Sequence, residues 1–263
     1  MKINEIKCKT ALSKSSLPGL DYSLNPYRGC QHKCIYCYVP NVLRIERKNW
    51  GSFVDVKTNM PIVLSKELNK KKPGVVGIST VTDPYQPVEN KYKLTRYCLE
   101  QLIKHDFPIC IQTKSDLVLR DIDIISNFSN CELIVSIATF NEDERKMLEP
   151  FSSSVKNRLK ILESFSNSNV KNVVFFGPIY PTVTEMDLKK MIDIFVDFNV
   201  KEVILDKFNF KPGILENIKL NTKDLCNREF FLRNIDNFQY FSNIRRKMFE
   251  FCQDKDIKVI DAF

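Results

Sequence analysis

Within the segment YRGCQHKCIYCYVP, residues 27–40, Cys30, Cys34 and Cys37 bring three thiols into one short loop with the spacing C-x3-C-x2-C. Three soft donors this close in sequence point to a metal rather than to core filling. Two chemistries fit. A structural zinc ion takes four ligands, and His32 is the local candidate for the fourth, although it lies between the first two cysteines, where four-ligand closure is awkward. A [4Fe–4S] cluster normally takes four cysteines, so a loop with three leaves one iron without a protein ligand. Such an iron can bind a small molecule through an amine and a carboxylate and pass it an electron.

The elements that must position this loop are legible in the hydrophobic pattern. GVVGIST (74–80), FPICIQTKS (107–115), CELIVSIAT (131–139), NVVFFGPIY (172–180) and KEVILDKFNF (201–210) read as strands. Between and after them, residues 91–105, 116–128, 153–167, 185–199 and 238–255 carry the three-and-four spacing of amphipathic helices. A first strand in DYSLNPY (21–27) completes about six β/α units, which predicts an α/β fold with a parallel sheet and outer helices. In such folds the loops after the strand C-termini hold the chemistry. Thr80 to Asp83, Thr113 to Ser115, Ser136 to Thr139 and Pro178 to Thr182 therefore share one rim with the cysteine loop.

Composition narrows the setting. A chain of 263 residues with 43% hydrophobic and 27% charged residues is ordinary globular material, long enough for one α/β barrel-like domain. Neither a signal-peptide pattern nor a membrane span is visible, so a cytoplasmic protein with no membrane partner and nine reduced cysteines is expected. The formal charge of +8 permits a polyanionic partner without requiring one. The basic runs Lys70 to Lys72 and Arg245 to Lys247 read as solvated helix ends.

Cys30, Cys34, Tyr36 and Cys37 match C-x3-C-x-Y-C, the signature of the radical S-adenosylmethionine (radical SAM) superfamily, position for position. The wider wording LNPYRGCQHKCIYCY, then GISTVTDPYQPVE, IQTKSDLVLRDIDII, IVSIAT, MLEP and GPIYP, resembles the subgroup grouped with spore photoproduct lyase, over about residues 9 to 185. The resemblance implies a partial (β/α)6 TIM-like barrel. It is taken as a single radical SAM domain over 1–263, with a barrel core of about 20–210 and a C-terminal helical extension of about 211–263. It also implies a [4Fe–4S] cluster on Cys30, Cys34 and Cys37. The cluster would bind S-adenosylmethionine and cleave it to methionine and a 5′-deoxyadenosyl radical that abstracts hydrogen from a substrate. A reducing electron donor such as a flavodoxin or ferredoxin is then needed. By motif and spacing, Thr82 and Asp83 fall near the amino group of S-adenosylmethionine, Lys114 and Ser136 near its carboxylate, and Tyr36 at the adenine.

One position departs from the lyase. Its hydrogen-donating cysteine corresponds to Thr80, and a threonine O–H bond is too strong to replace it. Unless Cys98, Cys110 or Cys131 reaches the site from elsewhere, no thiol replaces it; Cys98 in a helix and Cys110 in a strand read as core, and Cys226 and Cys252 form no C-x2-C pair for a second cluster. The substrate implied by the subgroup is nucleic acid, with a peptide or small metabolite left open. Phe230, Phe231, Tyr240 and Phe241 beside Arg245 and Arg246 could add an aromatic and basic surface, although aromatics at these spacings are more often helix core. The competing reading is a zinc-binding, nucleic-acid-associated module without enzymatic activity, with His32 as a ligand.

Overall fold

The computed structural model describes residues 1–262. In chain order its strands are β1 (Lys2–Ile6), β2 (Leu12–Lys14), β3 (Tyr22–Leu24), β4 (Tyr27–Arg28), β5 (Phe53–Lys57), β6 (Val76–Ile78), β7 (Ile109–Thr113), β8 (Cys131–Ser136), β9 (Lys171–Phe176), β10 (Glu202–Leu205) and β11 (Lys258–Asp261). The large sheet has the order β11-β10-β9-β8-β7-β6-β3-β2. Every pairing from β3 to β11 is parallel, and β2 closes that side antiparallel to β3. β2 and β11 remain the two edges, so the barrel is partial. No helix among the described residues is long and apolar enough to cross a membrane.

The strand composition explains the layering. β6 is buried along its whole length and β8 nearly so, as expected for parallel strands covered on both faces. The crossover helices supply the outer cover. Glu185–Asp197, for example, buries Leu188, Met191, Ile192 and Phe195 and starts sharply at a capping box formed by Thr184 and Asp187.

Three features differ from the sequence expectation. The chain leaves the barrel after Leu24, so Tyr27 and Arg28 pair instead with β5 in a separate sheet of order β1-β5-β4. The helix expected over 91–105 is broken at Lys93, which takes a positive φ of 51°. Its cause is the buried Glu89, whose carboxylate accepts the Thr95 and Arg96 amides at 3.0 and 3.4 Å and so caps a new helix, Leu94–Ile103. Finally, β11 lies within the segment expected to be helical and adds a seventh parallel strand after helix Phe238–Cys252.

Candidate active site

The cysteine loop leaves β4 through Gly29, which holds φ at +89°. A Cβ there would lie 2.5 Å from the Phe53 carbonyl oxygen, so only glycine allows this approach. The segment after β6 then braces the loop. Thr82 donates its hydroxyl to the Gly29 carbonyl at 2.6 Å, Gln86 donates to the same carbonyl at 3.2 Å, and the Gln31 amide donates to Gln86 Oε1 at 2.9 Å. From the other side, the Ile35 amide donates to the Leu148 carbonyl at 3.0 Å and Asn217 Nδ2 to the Ile35 carbonyl at 2.6 Å. The loop backbone is thus tied to three distant parts of the chain.

The thiols share one pocket. Burial pushes Cys30 up to about 12, aided by the charges of Asp83 and Cys37. Burial also holds Cys34 well above an ordinary thiol, with Glu149 adding to it and Lys114 opposing. At Cys37 burial is again the largest cause of a raised pKa, opposed by the Val39 amide and the charges of Lys114 and Arg47. Desolvated thiols of this kind ionise readily only when a bound cation replaces the lost water.

Asp83 stands between the loop and the next strand end. It accepts from the Tyr85 amide and the Thr113 hydroxyl at 2.9 and 2.8 Å, from the Lys114 amide at 2.8 Å, and from His32 Nδ1 at 3.3 Å. Burial favours its neutral form, but the charge and hydrogen bond of His32 and the Lys114 and Thr113 donors outweigh that and hold it at about 2. His32 is 2% exposed and committed to this carboxylate. A zinc site using His32 would have to break that contact, and among the described residues no three His, Cys, Asp or Glu side chains are placed to hold a single ion.

Lys114 follows β7 and turns its side chain towards Cys34, Asp83 and a residue without a sequence signal, Glu149. Burial works against its charge, yet Glu149 and Cys34 more than compensate, so the ammonium stays protonated. Among the described residues it has neither an ion-pair nor a hydrogen-bond partner at Nζ. Glu149 itself is 0% exposed, accepts from the Tyr36 hydroxyl and pairs with Arg158, which is 1% exposed. Despite burial, the Arg158 and Lys114 charges and the Tyr36 hydrogen bond hold Glu149 at about 2. Arg158 also donates to the Ser136 carbonyl at 2.9 Å and so fixes the end of β8, where Ser136 Oγ accepts from Gln112 Nε2 at 3.4 Å. Edge-on contacts to Tyr180 and Phe208, with ring centroids 6.3 and 5.9 Å away, complete the surroundings of Tyr36.

Tyr36, Thr82, Asp83, Lys114 and Ser136 therefore lie on the loop and strand ends around the three cysteines, and Glu149 joins several of them. Thr82 spends its hydroxyl on Gly29, and Asp83 spends both oxygens on scaffold donors. Thr80 follows β6 and accepts from Asn25 at 3.4 Å. Cys110 and Cys131 sit at the opposite, N-terminal ends of β7 and β8, and Cys98 is buried in a helix. Phe231 and Phe241 are core, whereas Phe230 is exposed, and Arg245 and Arg246 stay about half exposed while pairing with Asp261 and Glu250.

Two buried carboxylates held at about 2 make folding acid-sensitive in a defined window. Their ordinary values are 3.8 and 4.5, so their stabilising effect is complete above about pH 4.5 and is lost as pH falls towards 2. The unfolding free energy measured by urea titration is expected to fall through that range by an amount on the order of 3 kcal/mol for Glu149 alone. In Glu149→Gln the same titration should be visibly flatter, and an identical slope would remove Glu149 from the account.

The chain matches the profile of the Radical SAM superfamily over residues 24–195. An uncharacterized protein of Methanocaldococcus jannaschii is 33% identical over 251 residues, which are 94% of this chain and 95% of that protein. An uncharacterized protein of Mycobacterium tuberculosis is 30% identical over 195 residues, 69% of this chain but 57% of the mycobacterial protein. The chain thus spans nearly all of the archaeal relative and little more than half of the mycobacterial one. Among solved structures, spore photoproduct lyase complexed with dinucleoside spore photoproduct superposes with a TM-score of 0.73 over 98% of this chain and 81% of the lyase, at 14% identity. At that identity the likeness is one of fold.

Proposed function

The chain belongs to the radical SAM superfamily, and from that premise we propose that Cys30, Cys34 and Cys37 hold a [4Fe–4S] cluster for radical chemistry on a nucleic-acid or nucleotide substrate. The protein is a radical SAM enzyme, and the family implies both an iron–sulfur cluster and S-adenosylmethionine. When bound, the pair supplies a 5′-deoxyadenosyl radical by one-electron reductive cleavage, with the electron drawn from a carrier such as a flavodoxin or ferredoxin.

The observation that carries the reading is the half-buried Lys114 ammonium, without an ion-pair partner among the described residues, on the rim beside the three thiols. A partly desolvated cation of this kind favours an incoming carboxylate. Lys114 and the Ser136 hydroxyl would hold the carboxylate of S-adenosylmethionine. Thr82 and Asp83 would serve the ammonium end, Asp83 through its charge, since its oxygens already have donors. Tyr36, oriented by Glu149, would present its ring to the adenine.

The substrate class rests on two supports. The chain carries +8, and the solved lyase of the same fold is complexed with a dinucleoside. Thr80 argues for a reaction that closes differently from the lyase, because no thiol stands at that strand end. The test is 5′-deoxyadenosine release with and without thymine-containing oligonucleotides deuterated on the base methyl and sugar carbons. Stimulated release with deuterium in the 5′-deoxyadenosine is expected. Release that is unchanged by every oligonucleotide, with no label transferred, would overturn the substrate assignment.

A further inference from the structure

Trp50 is the only tryptophan in the chain and is 4% exposed. It follows a short 3-10 turn, Arg47–Asn49, and packs in a small apolar group with Cys30, Val39, Cys37 and Val81. Its indole nitrogen is buried and has no hydrogen-bond partner. That is unusual, because a buried indole N–H normally finds an acceptor and leaving it bare is costly. Cys37 packs against the same apolar group as the indole.

The same turn grips Cys37 from behind. Arg47 Nη1 donates to the Cys37 carbonyl at 2.8 Å, and the Trp50 amide donates to the Arg47 carbonyl at 3.0 Å. Residues 47–50 therefore fix the backbone of Cys37 and hold an unspent donor against its side chain. A neutral thiol is a poor acceptor, whereas an iron-bound thiolate is a good one, and hydrogen bonds to cluster sulfurs help set reduction potential.

We propose that Trp50 is a positioning residue whose indole N–H donates to the Cys37 sulfur when that sulfur ligates iron, raising the reduction potential of the cluster. The inference rests on the reading of Cys37 as a cluster ligand. In the resting fold the donor is stored without an acceptor; cluster assembly supplies one. Trp50 thereby makes the cluster easier to reduce by one electron and also rewards its insertion.

The test replaces Trp50 by 3-benzothienylalanine, which keeps the ring shape and exchanges the N–H for sulfur, with W50F as a second variant. After anaerobic reconstitution to matched iron and sulfide content, the midpoint potential is measured by dye-mediated dithionite titration and electron paramagnetic resonance, without S-adenosylmethionine. The reduction equilibrium is expected to shift about tenfold towards the oxidised cluster in both variants, a midpoint lower by about 59 mV for a one-electron couple. Loss of an exchangeable-proton coupling to the reduced cluster should accompany it. Unchanged midpoint and coupling in the benzothienyl protein would overturn the role of Trp50 while leaving the cluster intact. Failure of the unmodified protein to bind iron and sulfide would instead overturn the ligand reading itself, so the two failures are distinguishable.

Discussion

Replacing Arg158 with methionine is expected to destabilise the fold by about 3–5 kcal/mol, the cost of leaving a buried charge without its partner. Arg158 is 1% exposed, faces the fully buried Glu149, and donates to the Ser136 and Ser153 carbonyls at 2.9 and 3.0 Å. Its loss strands a carboxylate in a site where Lys114 is the next cation and where the end of β8 loses its tether. Urea denaturation followed by circular dichroism measures the effect. The double variant Arg158→Met with Glu149→Leu should recover part of the loss, because a buried pair exchanged together for apolar groups is far less costly than one broken in half. A loss below about 1 kcal/mol in the single variant would mean that solvent reaches the pair and screens it.

Replacing Lys114 with methionine, which keeps an apolar stem of similar length and removes the charge, is expected to weaken S-adenosylmethionine binding about 30-fold. That follows from about 2 kcal/mol for removing one member of a buried charge pair, at 1.4 kcal/mol per decade of affinity. The three cysteines keep their loop contacts in the variant, so iron and sulfide content should match the unmodified protein. Anaerobic titration calorimetry gives the affinity and metal analysis gives the cluster. Affinity within twofold of the unmodified protein would remove Lys114 from the carboxylate site and leave its ammonium acting only through its charge on Glu149 and Cys34.

The parts of this site that could be read in advance are those tied to strand ends. Lys114 and Ser136 close clear apolar runs, so the parallel fold carried them to the rim with the cysteine loop. Their surroundings were less legible. Glu149 lies just after a short helix, Glu142–Leu148, and neither its burial nor its pairing with Arg158, nine residues on, follows from a local pattern. His32 looked like a metal ligand by proximity in sequence, but the fold brings Asp83 to it from the second barrel strand end. β11 was hidden because four residues after a long helix carry too short a pattern, and only pairing with β10 identifies them as a strand. Trp50 carried no signal either, since its importance lies in which sulfur it packs against.

The site also explains why the loop is so heavily braced. Cluster binding must order three thiols at once, and the loop has few internal bonds beyond the Cys37 amide to the Cys34 carbonyl at 3.2 Å. Gln86, Thr82, Asn217 and Arg47 supply the missing constraints from outside. The expected result is preorganisation, which reduces the ordering cost of cluster binding.

The most direct test of the central claim is anaerobic reconstitution of the full chain, analysis of iron and sulfide, and assay of 5′-deoxyadenosine and methionine after dithionite reduction with S-adenosylmethionine. The account predicts about four irons and four sulfides per chain, as a [4Fe–4S] cluster requires, with both products formed only when reductant is present. A protein that takes up a single zinc in place of iron and sulfide, and yields no 5′-deoxyadenosine, would contradict it.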